Sequence, residues 1–115
     1  MSAGEVRVVS PTGGEKGQKP AQASTLDARA LLILAEVGGF GTRKYAPHNY
    51  LRGYAWSLSL DALQRHVWAF QAGEDVDPES GLPHMAHAAW HALALVSFHA
   101  RGLGVDDRFR QEAGT

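Results

Sequence analysis

The 115-residue sequence contains no cysteine, which excludes disulfide bonds, thiolate metal ligands and cysteine nucleophiles. It also lacks an apolar signal core at its N-terminus and any apolar run near the ~20 residues of a membrane span. Neither charge dominates, since 11 basic and 12 acidic residues give a net charge of −1. This balance argues against duplex nucleic acid or an anionic membrane as a partner. We therefore expect a cytoplasmic protein of at most one domain.

The order of apolar and breaking residues predicts an all-α fold class. Glycine, proline, lysine and glutamine dominate residues 1–24, which are expected to form a flexible N-terminal arm. Residues 25–108 form the predicted domain, a small three-helix protomer, and residues 109–115 are expected to be a disordered tail. Apolar residues recur with helical spacing in three segments. The predicted helices run from about 26 to 37, from Ser57 or Ser59 to about 72, and from about 83 to 101.

The third predicted helix is apolar nearly all round, which is typical of a helix covered on most sides. Two other helices of one small protomer can hardly cover it fully. The pattern therefore predicts a homo-oligomer, a dimer or larger, assembled as a helical bundle.

The stretch Gly73–His91, GEDVDPESGLPHMAHAAWH, holds four carboxylates in six residues and then three histidines. The histidines are spaced i, i+3, i+7, which places them within about a 60° arc of one helix face. Oxygen and imidazole donors so close together suit a divalent metal or a phosphorylated ligand. Alternatively, the carboxylates solubilise the loop and the histidines fill a helix interface. The candidate metal ligands are Glu74, Asp75, Asp77, His84 and His87.

The connection Phe40–Gly53, FGTRKYAPHNYLRG, interleaves cations with flat rings. Such a pattern can hold a phosphate together with a stacked base. The alternative is a surface loop pinned by its tyrosines. His66, at the edge of the apolar stripe of the second helix, is a candidate general base or an inert flanking histidine. The candidate substrate-binding residues are Arg43, Lys44, Tyr45, His48, Asn49, Tyr50 and, from the second helix, Arg65.

Several of these motifs together resemble a family found mostly in bacteriophages and prophages, the N-terminal domain of dATP/dGTP diphosphohydrolase. They are GGEKG at 13–17, KYAPHNY at 44–50, WSLSLDALQRH at 56–66 and GEDVDPESGLPHMAHAAWHAL at 73–93. The resemblance implies a relation to MazG-like all-α pyrophosphohydrolases, a nucleotide substrate, Mg or Mn, and the host cytoplasm if the protein is phage-encoded. The chain lacks the EExxE pattern of MazG-like enzymes. Its only matching ExxD, Glu74 to Asp77, falls in a predicted loop.

By this resemblance, the chain is expected to be a metal-dependent pyrophosphohydrolase that converts dGTP or dATP to monophosphate and pyrophosphate. Its candidate catalytic residues are His66, Glu74 and Asp77, with a metal-bound water as nucleophile. The missing EExxE motif leaves a second hypothesis open, a phage sponge that sequesters a host signalling nucleotide without hydrolysis. A third hypothesis is a structural helical oligomer.

Overall fold

The computed structural model describes residues 4–111. The three predicted helices are present, but the predicted all-α class is wrong because an antiparallel β-hairpin precedes them. Residues 1–3 and 112–115, the ends of the predicted arm and tail, lie outside the described residues. No helix within 4–111 is long and apolar enough to cross a membrane. The elements are β1 (Val6–Val9), β2 (Glu15–Gln18), α1 (Ala28–Gly41), α2 (Trp56–Gln71) and α3 (His84–Arg101), with short 3₁₀ segments at Ala23–Thr25 and Asn49–Arg52.

The hairpin lies inside the segment predicted as a flexible arm. Val6 pairs with Gln18 and Val9 with Glu15, and the amide of Ser10 donates to the carbonyl of Gly14 at 2.8 Å to close the turn. Valines favour extended backbone, and a Thr-Gly-Gly sequence suits a tight turn. Composition alone obscured this local pattern, because the glycines and lysines of the arm are typical of disorder.

Helix α1 continues through its glycines to Gly41, four residues beyond the predicted end at residue 37. Gly38 faces α3 within this continuous helix. A β-carbon there would lie in ordinary van der Waals contact, 3.7 Å from Nε1 of Trp90. Packing of α1 against α3 thus outweighs the low helix propensity of glycine.

Helix α3 is the centre of the fold, since both α1 and α2 pack against it. Phe98 and Ala94 of α3 are completely buried, and alanines at the helix contacts keep the axes close. The ring of Tyr54, just before α2, meets Phe98 edge-on with centroids 4.9 Å apart. The core therefore fixes the segment that enters α2.

The chain after α3 returns to the start of α2 and caps it. The amide of Trp56 donates to the carbonyl of Val105 at 3.0 Å, and Nε1 of Trp56 donates to the carbonyl of Leu103 at 2.9 Å. Asp107 then accepts from both the amide and the hydroxyl of Ser57. A carboxylate fifty residues away thus performs the capping role predicted for Ser57 or Ser59.

Replacing Asp107 with alanine is expected to lower the stability of the protein, because the first turn of α2 loses its cap. Urea unfolding followed by circular dichroism measures the loss. Asp61→Ala, which removes an exposed carboxylate within α2, is the matched control. Equal stability of the two variants would contradict a capping role for Asp107.

A large amount of apolar surface remains exposed on the helices. Leu32, Trp68 and Val96 are 68%, 64% and 63% exposed. The radius of gyration is 18.7 Å, whereas about 13 Å is usual for a compact domain of this length. The predicted homo-oligomer stays a prediction, and this exposed surface is consistent with it.

Candidate functional site

A cavity of about 390 Å³ lies where α1 and the following loop meet α2 and α3. Its volume falls within the range of small-molecule sites, roughly 300–1,000 Å³. Aromatic rings supply much of its wall, and the rings of Tyr50 and Trp90 meet edge-on at 5.1 Å. The lining residues are Gly38, Gly41, Thr42, Tyr45, Ala46, His48, Asn49, Tyr50, Tyr54, Leu58, Ser59, Trp90 and His91.

Four of the predicted substrate-binding residues meet at this cavity: Tyr45, His48, Asn49 and Tyr50. Among the described non-glycine residues, His48 alone has a positive φ, 63°, in the left-handed region. Side chains rarely adopt this conformation without compensation, and such positions cluster at functional sites. The turn at His48 starts the 3₁₀ segment that carries Asn49 and Tyr50 into the cavity wall.

The three predicted substrate-binding cations do not line the cavity themselves. The guanidinium of Arg43 and the ammonium of Lys44 lie 5.6 and 5.3 Å from the centre of the Phe40 ring, beside the cavity. Lys44 Nζ also pairs with Glu79 at 2.7 Å, and this hydrogen bond raises the pKa of Lys44. Arg65 is exposed on α2 and does not line the cavity.

Next to the cavity, four imidazoles from α2 and α3 form a histidine cluster: His66, His84, His87 and His91. His66 Nδ1 is hydrogen-bonded to His84 Nδ1 at 2.8 Å. The His66 ring stacks on His87 with centroids 4.5 Å apart and lies 6.3 Å from His91. His84 and His87 are only 4% and 6% exposed. The structure therefore brings the predicted general base to the predicted histidine stripe.

Hydrogen bonds from the acidic loop assign the protons of two cluster members. His84 Nε2 donates to the Glu74 carboxylate at 2.6 Å, so in the neutral imidazole Nδ1 of His84 accepts and His66 Nδ1 donates. Ser80 donates its hydroxyl to Asp77 at 2.9 Å and therefore accepts from His87 Nε2 at 2.7 Å. Both carboxylates thus orient histidines.

Burial governs the charge of the cluster. It lowers the pKa of His91 to about 4, and the nearby His66 and His87 act in the same direction. Burial likewise lowers the pKa of His66 and of His87. Burial alone would raise the pKa of Asp77, but hydrogen bonds from Ser80 outweigh it and the pKa is lowered. At pH 7, His66, His87 and His91 are therefore neutral beside an ionised Asp77.

The predicted metal ligands do not fit a metal centre as they are arranged here. Glu74 is directed to His84, and Asp77 is directed to Ser80 and His87. Asp75 is exposed and contributes its backbone carbonyl, which accepts from the amide of His84. Within residues 4–111, no group of three or more histidine or carboxylate side chains is placed to hold a metal ion. The divalent metal stays a prediction that this geometry does not support.

Among the cavity residues that sequence reasoning missed are Tyr54, Ser59 and Trp90, and it left His91 without a role in binding. Tyr54 Oη is 2.5 Å from Ser59 Oγ, which is 2.9 Å from His91 Nδ1. His91 belongs both to the cavity wall and to the histidine cluster, so it links the two. The sequence did indicate His91, because its spacing places it on the same helix face as His84 and His87. No local pattern marks a fully buried serine as part of a site.

Comparisons with known proteins support the family that the sequence motifs resemble. The sequence model of the family described as "dATP/dGTP diphosphohydrolase, N-terminal" matches residues 10–108. A protein named dATP/dGTP diphosphohydrolase from Salmonella phage PMBT28 is 38% identical over 78 residues, which cover 68% of this chain and 27% of that protein. The chain thus spans about a quarter of the length of the curated relative that it matches. No solved structure gives a significant match.

Proposed function

This chain belongs to the family of dATP/dGTP diphosphohydrolase N-terminal domains, and we propose that it binds a purine deoxynucleoside triphosphate and takes part in its hydrolysis to monophosphate and pyrophosphate. One observation supports this most directly. An aromatic cavity large enough for a nucleoside shares a wall, at His91, with the histidine cluster, in which His66, His87 and His91 are neutral at pH 7.

The base is held by aromatic rings. Tyr45 is 62% exposed on the cavity wall, so its ring has a free face, and Tyr50 and Trp90 form a second aromatic surface. Stacking of a base on an aromatic side chain contributes about 1–3 kcal/mol and tolerates different bases. Asn49 supplies a polar group at the same wall.

The phosphates lie toward Arg43 and Lys44, which immediately precede Tyr45 in the chain. Lys44 Nζ donates a hydrogen bond to Glu79. A bound triphosphate carries more negative charge than this carboxylate and competes with it for the ammonium group. Both cations lie on the side of Phe40, whose ring meets His87 edge-on at 6.1 Å. We therefore place the phosphates at this exposed edge of the site, on the side of the histidine cluster.

At pH 7, each neutral histidine has one ring nitrogen without a proton, which can act as a general base. His66 Nδ1 is protonated by its bond to His84, which leaves Nε2 as the basic nitrogen for a water that attacks phosphorus. His91 lies between His66 and the cavity. The candidate base and the proposed nucleotide pocket are thus neighbours.

Binding without hydrolysis is the second candidate function. It is favoured by the engagement of Glu74 and Asp77 with histidines and serine, which leaves no preformed metal site in the described part of the chain. A protein that only sequesters a nucleotide uses the same cavity and cations and needs no activated water.

A thermal-shift panel of dGTP, dATP and dCTP, with and without Mn²⁺, tests the proposal. Nucleotide at a hundredfold excess over its Kd stabilises the folded state by about 2.7 kcal/mol. Chromatography of the same samples shows whether monophosphate forms. Purine-dependent stabilisation with monophosphate supports hydrolysis, and stabilisation with intact nucleotide supports sequestration. The absence of any shift would refute a nucleotide site.

Tyr45→Ala is expected to weaken purine nucleotide binding by about five- to a hundredfold, since a stacking surface is lost. Trp68→Ala is the matched control, because Trp68 is similarly exposed, at 64%, but does not line the cavity. Isothermal titration calorimetry measures both. Equal affinities of the two variants would place the base elsewhere.

A further inference from the structure

A hydrogen-bonded chain of three neutral side chains forms part of the cavity wall: Tyr54, Ser59 and His91. Its internal distances are 2.5 Å from Tyr54 Oη to Ser59 Oγ and 2.9 Å from Ser59 Oγ to His91 Nδ1. Ser59, at its centre, is completely buried, and all three residues line the cavity. The two ends of the chain are therefore the groups that a ligand meets.

The chain has two hydrogen-bond polarities. It holds three protons, one each on the phenol, the hydroxyl and the imidazole, and two of them are used internally. In the first polarity, Tyr54 donates to Ser59 and Ser59 donates to His91, so His91 Nε2–H is the outward donor and Tyr54 Oη the outward acceptor. In the second, His91 donates inward, so Tyr54 is the outward donor and His91 Nε2 the acceptor. The change moves one proton between the ring nitrogens of His91, by exchange with solvent in the cavity.

Within residues 4–111, no charged side chain is hydrogen-bonded to Tyr54, Ser59 or His91. Glu74 fixes the proton of His84, and Asp77 fixes that of His87 through Ser80. Burial raises the pKa of Tyr54 and lowers the pKa of His91, so both side chains are neutral at pH 7. A ligand is then what selects the polarity.

We propose that the Tyr54–Ser59–His91 chain reads the hydrogen-bonding edge of the purine and accepts either adenine or guanine by reversing its polarity. The inference rests on the proposed function. At its Watson–Crick edge, adenine offers an amino donor beside a ring-nitrogen acceptor, and guanine offers a carbonyl acceptor beside an N–H donor. A fixed donor–acceptor pair suits one purine and rejects the other. A reversible pair suits both, and stacking on the aromatic wall favours the larger purine ring system over a pyrimidine. Ser59 is a positioning residue that couples the two ends.

The test is the tautomer of His91 in two complexes. Protein with ¹⁵N-labelled histidine is mixed with the α,β-methylene analogues of dATP and of dGTP, which resist cleavage at the scissile bond. The ¹⁵N chemical shifts of the ring report which nitrogen is protonated, and His91→Gln identifies the signal. Opposite tautomers in the two complexes are expected. The same tautomer in both would overturn the inference and leave the proposed function standing, whereas absence of binding would overturn both.

Tyr54→Phe gives an independent readout, because it removes one end of the chain and keeps the ring that packs on Phe98. Each purine analogue is expected to bind about two- to tenfold more weakly, the range of one neutral hydrogen bond. The analogue of purine deoxyriboside triphosphate, unsubstituted at position 6, is the matched ligand and should lose less. A lower melting temperature with unchanged affinities would show a structural role only and would contradict the inference.

Discussion

Gly53→Ala is expected to destabilise the protein by about 3 kcal/mol or more. Gly53 has a φ of +84°, and an added β-carbon would clash with the backbone nitrogen of Gly104 and lie 2.8 Å from its α-carbon. Left-handed strain at a non-glycine residue costs about 1–3 kcal/mol, and overpacking adds a similar amount. The added β-carbon would contact backbone atoms of Gly104, not a flexible side chain, so the clash is relieved only if the backbone moves. Chemical denaturation measures the loss.

Gly73→Ala is the control for this variant. Gly73 also has a positive φ, +101°, but a β-carbon there would meet nothing within 4 Å. It therefore isolates the backbone strain, which is expected to cost about 1 kcal/mol. Equal destabilisation by the two variants would show that the contact between Gly53 and Gly104 carries no energy.

Gly53 matters to the site as well as to stability. It joins the 3₁₀ segment that carries Tyr50 to the start of α2, next to Tyr54. Both tyrosines line the cavity. A shifted backbone at Gly53 is therefore expected to weaken ligand binding in the fraction of the variant that still folds.

Acidification from pH 7 to pH 4 is expected to remove up to about 3 kcal/mol of stability through His91 alone. Its folded pKa is about 4, below the ordinary value of 6.5 for an unfolded histidine. The unfolded chain thus takes up the proton first, and the stabilisation is complete above pH 6.5 and is lost as the pH falls through 6.5 toward 4. The lowered pKa values of His66 and His87 act in the same direction.

Opposing and like charges around the cluster shape this pH dependence. Asp77 and Glu79 favour the protonated form of His87, whereas Arg65 disfavours protonation of His66 and His91. Asp77 has a lowered pKa, so its own contribution is lost only below its ordinary value of 3.8, outside this window. The histidines therefore dominate between pH 6.5 and pH 4.

His91→Gln is expected to flatten the stability profile between pH 6.5 and pH 4, because the titrating group is removed while a hydrogen-bonding side chain is kept. Unfolding by urea at half-unit steps of pH gives the profile. His99→Gln, at an exposed position on the same helix, is the matched control. Stability profiles of the same steepness in both variants would refute His91 as the cause of the pH dependence.

The sequence by itself determined the features that depend on neighbouring residues. Apolar spacing located the three helices. The predicted start of α3 fell within one residue of the observed start, and that of α2 within one to three residues. The dense run from Gly73 to His91 and the motif KYAPHNY indicated the family correctly. The same two stretches contain most residues of the candidate site, because the functional side chains of these motifs are close together in the sequence.

Tertiary structure decided the features that join distant segments. Asp107 caps α2 across fifty residues, Ser59 meets His91 across thirty-two, and His66 meets His84 across eighteen. No periodicity records such distances, since they depend on how α1 and α2 pack on α3. The carboxylates expected to bind a metal instead orient histidines, because those imidazoles are buried and need hydrogen-bond partners there. Packing thus determined the cavity, its reversible hydrogen-bonded wall and the charge of the cluster beside it.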